Sequence, residues 1–398
     1  MGRCILFEQK NTCSGCGACY NVCPVQAINM KEDNFGFIYP EINYDKCINC
    51  HLCKRVCDFE KIDEKRITKS EVYAVMNKQK DILLNSSSGG IFPSLSEYII
   101  SIGGSVYGCS MEYENGKLVP RHVSVTQRSH LKKLYGSKYV QSDTGSIYKF
   151  IKSDLIEGKT VLFCGTPCQV AGLKSFLNIE YTNLYTIDLI CHGVPNARLF
   201  QEYIKFIEKS YNKTIKGFEF RNKTFSWKNF TAKVIFSDGT HELIHSDESS
   251  FYDMFLNCEI YRDSCYNCKY ANEQRNSDIT LGDYWGIENV HSNYLIKNGG
   301  HLDDTLGVST VLINSDKGYR LFQNCNLDLV KYPSNIENVK KCNKQLKEPS
   351  KQGSHRTKIF KLFINKGYHS VDSYYRKIIL LKKIRLKFKK IYDELKFR

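Results

Sequence analysis

Cysteines at positions 13, 16, 19 and 23 recur at 47, 50, 53 and 57, an offset of 34 residues each time. Nothing else in the 398-residue chain restricts its fold so tightly, because eight identical side chains at fixed spacing must converge on something. A helical solenoid of similar period is excluded, since only two copies exist and neither carries an apolar helix signature. Disulfides suit short secreted chains, but this chain is long and most of its 18 cysteines fall in close-spaced groups, so metal or redox chemistry is the better reading. The stretch Met1 to Lys10 leaves no room for an apolar signal segment before Cys13, and Leu6 stands where a myristoylation site needs Ser or Thr. No run approaches the ~18 apolar residues of a membrane-spanning helix. A cytoplasmic location is expected.

Cys13, Cys16, Cys19 and Cys23, followed by Pro24, form the CxxCxxCxxxCP run of bacterial ferredoxins; Cys47, Cys50, Cys53 and Cys57 repeat it with Asp58 in place of the proline. Three thiolates on a tight loop hold three corners of a cubane, while the fourth cysteine reaches the other cluster. This assigns Cys13, Cys16, Cys19 and Cys57 to one 4Fe-4S cluster and Cys47, Cys50, Cys53 and Cys23 to a second. Gly15 and Gly17 suit a close backbone wrap, and Asp58 predicts a less rigid second loop. A tetrahedral zinc site would use one pair of CxxC elements and leave half of these cysteines over. Two clusters in series ordinarily mean an electron wire.

After the charged stretch Asp63 to Lys69 the pattern becomes mixed α/β. Val72 to Val75 reads as a strand and Ile91 to Ile102 as a helix behind a Ser/Gly loop. Thr160 to Cys164 and Leu184 to Ile190 read as strands followed by helices, the second helix with Leu199, Phe200, Tyr203, Ile204 and Ile207 on one face. Asp238 and Gly239 mark a hairpin between Ala232 to Phe236 and His241 to Ile244. Cys168 and Cys191 fall at strand ends, where open α/β sheets collect their sites, and a Cys265, Cys268 pair follows. Four thiolates converging there would suit a third 4Fe-4S cluster. Cys4, Cys109, Cys164, Cys258, Cys325 and Cys342 read as small buried hydrophobes. Ser86, Ser87, Ser88, Gly89 and Gly90 precede a helix and would cradle a phosphate or merely cap it. No GxGxxG follows a first strand, and His192 alone is more often a structural residue than an acid or base.

The net charge of +15 raises nucleic acid, an anionic membrane or an acidic partner. Ten Lys or Arg against Asp393 and Glu394 give Tyr374 to Arg398 a net +8, so the excess is concentrated in a tail and no nucleic-acid reader is expected. Ile378, Leu381, Ile384, Phe388, Ile391 and Leu395 recur at helical spacing, giving a basic amphipathic helix that either packs on its own domain or meets a membrane or partner.

Several segments resemble the coenzyme F420 hydrogenase/dehydrogenase beta subunit family: SSSGG at Ser86 to Gly90, GSKYVQS at Gly136 to Ser142, GTPCQ at Gly165 to Gln169, CHGVP at Cys191 to Pro195, CYNCKYA at Cys265 to Ala271 and SDITLGDYWG at Ser277 to Gly286. With the ferredoxin module, the resemblance runs from about residue 10 to about residue 325. It implies an FAD-containing iron–sulfur oxidoreductase that passes electrons between clusters and a two-electron partner, such as a deazaflavin or another hydride carrier. It also implies that Ser87, Ser88, Gly89, Gly90, Lys138, Tyr139, Gln141 and Ser142 line the flavin, and that Cys168, Cys191, Cys265 and Cys268 ligate the inner cluster.

The expected fold is α+β: a two-cluster ferredoxin module over 1–65, a mixed α/β flavin-binding core over 66–345 divided near 155, and a basic helical tail over 346–398. The expected partners are a ferredoxin or hydride carrier, with an anionic membrane surface for the tail, peripheral at the inner membrane face, and oligomerisation left open. The rival function is a non-enzymatic iron–sulfur adaptor that feeds a larger redox complex.

Overall fold

The computed structural model describes residues 4–60, 70–325 and 328–396; the charged stretch 63–69, expected to mark a domain boundary, lies outside them. The cysteine framework folds into short helices, Ala18–Val22 and Leu52–Arg55, around an antiparallel hairpin of β1 (Ile28–Glu32) and β2 (Ile38–Ile42). The repeat extends to backbone conformation. Gly15 and Gly17 have φ of 67° and 81°, and Asn49 and His51, one repeat later, have 51° and 56°. That left-handed region is where glycine is most at ease and asparagine tolerated.

The rest is built on an eight-stranded mixed sheet. Its centre is four parallel strands in the order β4 (Ser105–Glu114), β6 (Val161–Gly165), β7 (Leu184–Leu189) and β11 (Ile279–Asp283). β5 (Lys117–Val125) pairs antiparallel with β4 at one edge. At the other, β12 (Ser309–Ile313), β3 (Glu71–Asn77) and β13 (Leu329–Ser334) add antiparallel, so β3 lies between two strands from late in the chain. Central strands read as apolar runs because both faces are covered. Helices Ile91–Ser101 and Asp316–Asn324 cover one face, and Ile147–Ile156 and Pro167–Leu177 the other.

A second, three-stranded antiparallel sheet of β8 (Ile215–Asn222), β9 (Thr231–Phe236) and β10 (His241–His245) carries its own core. Leu199, Phe200, Tyr203, Ile204 and Ile207 of helix Ala197–Tyr211 are buried there, on the face that their spacing predicts. Asn196 opens that helix by accepting from Leu199 N at 2.7 Å, and Asn212 ends it in a left-handed conformation. Phe37 and Tyr39 of the ferredoxin hairpin enter the same core, so the module is docked into the body.

The C-terminal helix spans Arg356–Lys396 and breaks at Gly367, whose φ of 72° suits glycine alone. It begins well before the stripe read from the sequence, because that break interrupts the periodicity of its first half. Ile359, Phe360, Phe363, Tyr368, Val371, Tyr375 and Ile379 are buried against helices Ala197–Tyr211 and Ser250–Leu256, and Ser250 Oγ donates to Asp372 at 2.6 Å. Beyond Ile379 the described apolar side chains face solvent: Leu380 is 58%, Leu381 57% and Phe388 69% exposed. The Ile391 and Leu395 side chains lie outside the described ones.

Candidate redox site

The carboxyl ends of the parallel strands open on a cavity of about 450 Å³, a size and a place in the sheet that suit a ligand site. Thr166 and Gln169 cap helix Pro167–Leu177 reciprocally, which fixes Cys168 in its first turn facing the cavity. Cys191 follows β7, Cys265 lies in the turn Asp263–Asn267, and Cys268 follows that turn; all four line this one cavity. Burial pushes their thiols up, Cys265 to about 12 and Cys268 to about 11, and neighbouring thiols raise Cys191 further. Such a quartet fits a cluster that takes four thiolates and releases their protons on loading. Among the described residues, no three His, Cys, Asp or Glu side chains gather to hold a single metal ion.

The Ser/Gly loop and the GSKYVQS segment meet across the same cavity, where Ser137 N donates to Ser87 Oγ at 2.7 Å. Ser87, Ser88, Gly90, Lys138, Tyr139, Gln141 and Ser142 line it. Gly89 is not among the lining residues: its N–H donates to Ser309 Oγ at 2.9 Å, while Ser88 Oγ donates to Val308 O at 3.0 Å. The loop is therefore fastened to β12 and its neighbour through groups that would otherwise point at a phosphate. Lys138 Nζ donates to Tyr135 O at 2.7 Å and Lys133 O at 3.2 Å, and burial lowers its pKa. Tyr139 stacks on Phe255 at 4.5 Å between centroids and accepts from Arg221 at 3.1 Å.

In the ferredoxin module, Cys13, Cys16, Cys19 and Cys57 line one recess, shared with Cys53. Cys23, Cys47, Cys50 and Cys53 line another, shared with Cys4, whose Sγ lies 3.6 Å from that of Cys53. The first recess abuts the core. A Cβ on Gly172 of helix Pro167–Leu177 would sit 2.8 Å from Cys16 Sγ, and Tyr148 Oη lies 2.8 Å from Cys16 O and 2.9 Å from Gln169 O. Ser14 lines the large cavity itself. Asp58, which stands where the first run has proline, is tethered: its carboxylate accepts from Tyr270 Oη at 2.8 Å and pairs with Lys269 at 3.7 Å, both residues of the CYNCKYA segment.

Of the six cysteines read as buried hydrophobes, Cys4 and Cys325 are buried, Cys258 is half-buried against the second sheet's core, Cys109 and Cys164 line the cavity, and Cys342 is exposed at a loop position. Three polar residues escaped the sequence reading. His122 lies 3.1 Å from Ser142 Oγ and 3.2 Å from Cys164 O, and burial holds its pKa down at about 4. Lys223 donates to Leu83 O, Ser88 O and Leu306 O at 2.6–2.7 Å, tying the Ser/Gly loop to the second sheet. Arg262 is fully buried beside Cys13. None of the three carries a local sequence signal: Lys223, for one, stands in FEFRNK, where four of the six residues are polar.

Residues 12–61 match the model of the 4Fe-4S dicluster domain, which makes this an iron–sulfur protein with two 4Fe-4S clusters in its N-terminal module. Residues 158–335 match the model of the carboxyl-terminal part of the coenzyme F420 hydrogenase/dehydrogenase beta subunit. One chain thus carries a match to a dicluster domain followed by a match to the carboxyl-terminal part of that beta subunit. A solved chain from the F420-reducing NiFe hydrogenase complex of Methanosarcina barkeri is 18% identical over 72% of this chain and 92% of that chain, with a TM-score of 0.47. No curated protein matches. Among the described residues no helix is long and apolar enough to cross a membrane.

Proposed function

We propose that the protein is a flavin-linked oxidoreductase with three 4Fe-4S clusters. Electrons would pass between a ferredoxin-type partner, the Cys23, Cys47, Cys50, Cys53 cluster, the Cys13, Cys16, Cys19, Cys57 cluster, and an inner cluster on Cys168, Cys191, Cys265 and Cys268. The observation that carries this reading is that one cavity collects the four inner cysteines, the Ser/Gly and GSKYVQS segments, and Ser14 of the first ferredoxin loop. FAD, when bound, exchanges single electrons for a hydride equivalent. Ser87, Gly90, Tyr139, Gln141 and Ser142 would hold it, with Ser88 and Lys223 keeping the loop in place. The carrier would be a deazaflavin, a nicotinamide or another hydride acceptor. The domain limits proposed are 1–65, 66–345 and 346–398, and the site of action is the cytoplasm. There the exposed end of the C-terminal helix, basic and apolar together, would face an anionic membrane.

Anaerobic purification with cofactor extraction tests this. About twelve irons per chain and one FAD are expected by the four-cysteine rule; about eight irons without flavin would favour the adaptor function instead. Cys268→Ser should lose about four irons and interrupt flavin reduction, whereas Cys164→Ser should keep its iron. Equal losses from the two variants would refute the inner ligand set.

A further inference from the structure

Among the described residues four arginines are buried: Arg221, Arg262, Arg275 and Arg356. Arg221 holds Asp283 at 3.1 Å, Arg275 holds Asp188 at 3.0 Å and Arg356 holds Asp263 at 2.6 Å. Arg262, with 0% of its surface exposed, has no carboxylate partner among the described residues. Its Nε donates to Cys13 O at 2.8 Å, and its Nη1 to Ile38 O at 2.8 Å and Gln141 Oε1 at 3.2 Å. Its Nη2 points to Cys13 Sγ at 3.7 Å, and the guanidinium lies 4.0 Å over the Tyr39 ring. On the backbone side, Arg262 O accepts from Cys265 N at 2.9 Å. One cation is thus fastened by its side chain to Cys13 and by its main chain to Cys265.

A guanidinium taken out of water without a counter-charge is strongly unfavourable, and arginine cannot shed its proton to escape. Carbonyl and amide oxygens satisfy its donors here but carry no net charge. The anions that remain at hand are the thiolates on either side. We infer that Arg262 is a charge bridge between two iron–sulfur clusters, its cation balancing the negative charge at the Cys13 set and at the inner set together. It is a positioning residue. By stabilising the added electron it raises the reduction potential of both clusters. The Cys13 half of the inference needs only the dicluster module, and the Cys265 half rests on the three-cluster reading proposed above.

The test is a redox titration of the holoprotein followed by electron paramagnetic resonance. Arg262→Gln removes the charge and should lower both midpoints, cutting the ratio of reduced to oxidised cluster at a fixed potential by about tenfold, a shift of about 59 mV for a one-electron couple. Arg262→Lys keeps the charge and should stay near the wild-type potentials. Gln141→Glu sets a carboxylate beside the guanidinium with little change in shape, so it reads the same effect if Arg262→Gln fails to fold. It too should lower the potential of the Cys13 cluster. Unchanged potentials in Arg262→Gln or Gln141→Glu overturn the inference, as does an Arg262→Lys shift equal to that of Arg262→Gln. A wild-type preparation with about eight irons removes the inner cluster, yet the shift at the Cys13 cluster still decides the other half.

Discussion

His122 shows how a single side chain ties the cavity wall to the pH of the medium. Burial holds its folded pKa at about 4, below the ordinary 6.5, so between those values the unfolded chain binds the proton that the folded one refuses. Stability present above pH 6.5 is therefore lost as pH falls towards 4, by about 3 kcal/mol over the whole window. Urea midpoints of the wild type should fall on acidification through this range, and those of His122→Gln should fall less; equal slopes would remove His122 as the cause. The dicluster domain was legible because its cysteine spacing is set locally, within short loops. His122, Lys223 and Arg262 were not, because each acts on partners far away in sequence: Cys164, Ser88 and Leu306, and Cys13. No local pattern announces such a pairing.

At the scale of elements, strand-loop-helix units and the amphipathic helix Ala197–Tyr211 follow from periodicity alone, since each shows one face to one core. The C-terminal helix was read only in part, because periodicity does not say where a stripe stops being covered. Among the described side chains burial ends at Ile379, and beyond it exposed Leu380, Leu381, Ile384 and Phe388 combine with Lys382, Lys383, Arg385 and Lys387. Truncation after Ile379 should leave folding and cofactor content unchanged while weakening binding to phosphatidylglycerol vesicles in a salt-sensitive way, by about 1 kcal/mol per basic residue lost near the surface. Truncation before Tyr374 also removes Tyr375 and Ile379 from the core and should lower the melting temperature. Equal vesicle binding by the full chain and the shorter truncation would remove the membrane as the partner.

For the whole molecule, the ferredoxin module and the core meet closely enough that one methyl group matters. A Cβ on Gly172 would lie 2.8 Å from Cys16 Sγ and 3.0 Å from its Cβ, so Gly172→Ala must push the first cluster loop off helix Pro167–Leu177. A cost of about 1–3 kcal/mol in stability is expected from such overpacking. Reduction of the core by external ferredoxin should slow while the iron content holds, as a stopped-flow trace beside an iron assay would show; an unchanged rate would mean that electrons do not cross at this contact.

The position of β3 sets when the molecule can be finished. This strand leaves the ribosome directly after the ferredoxin module, yet both of its neighbours in the sheet, β12 and β13, are among the last strands made. Until they emerge, both its edges are unpaired hydrogen-bonding surfaces, which other chains can join as readily as its own. Closing so long a loop also places the sheet at the slow end of folding rates. The nascent chain therefore needs its cysteines kept reduced and its open edges shielded through most of synthesis, which predicts dependence on chaperones and on oxygen-free expression for a soluble yield.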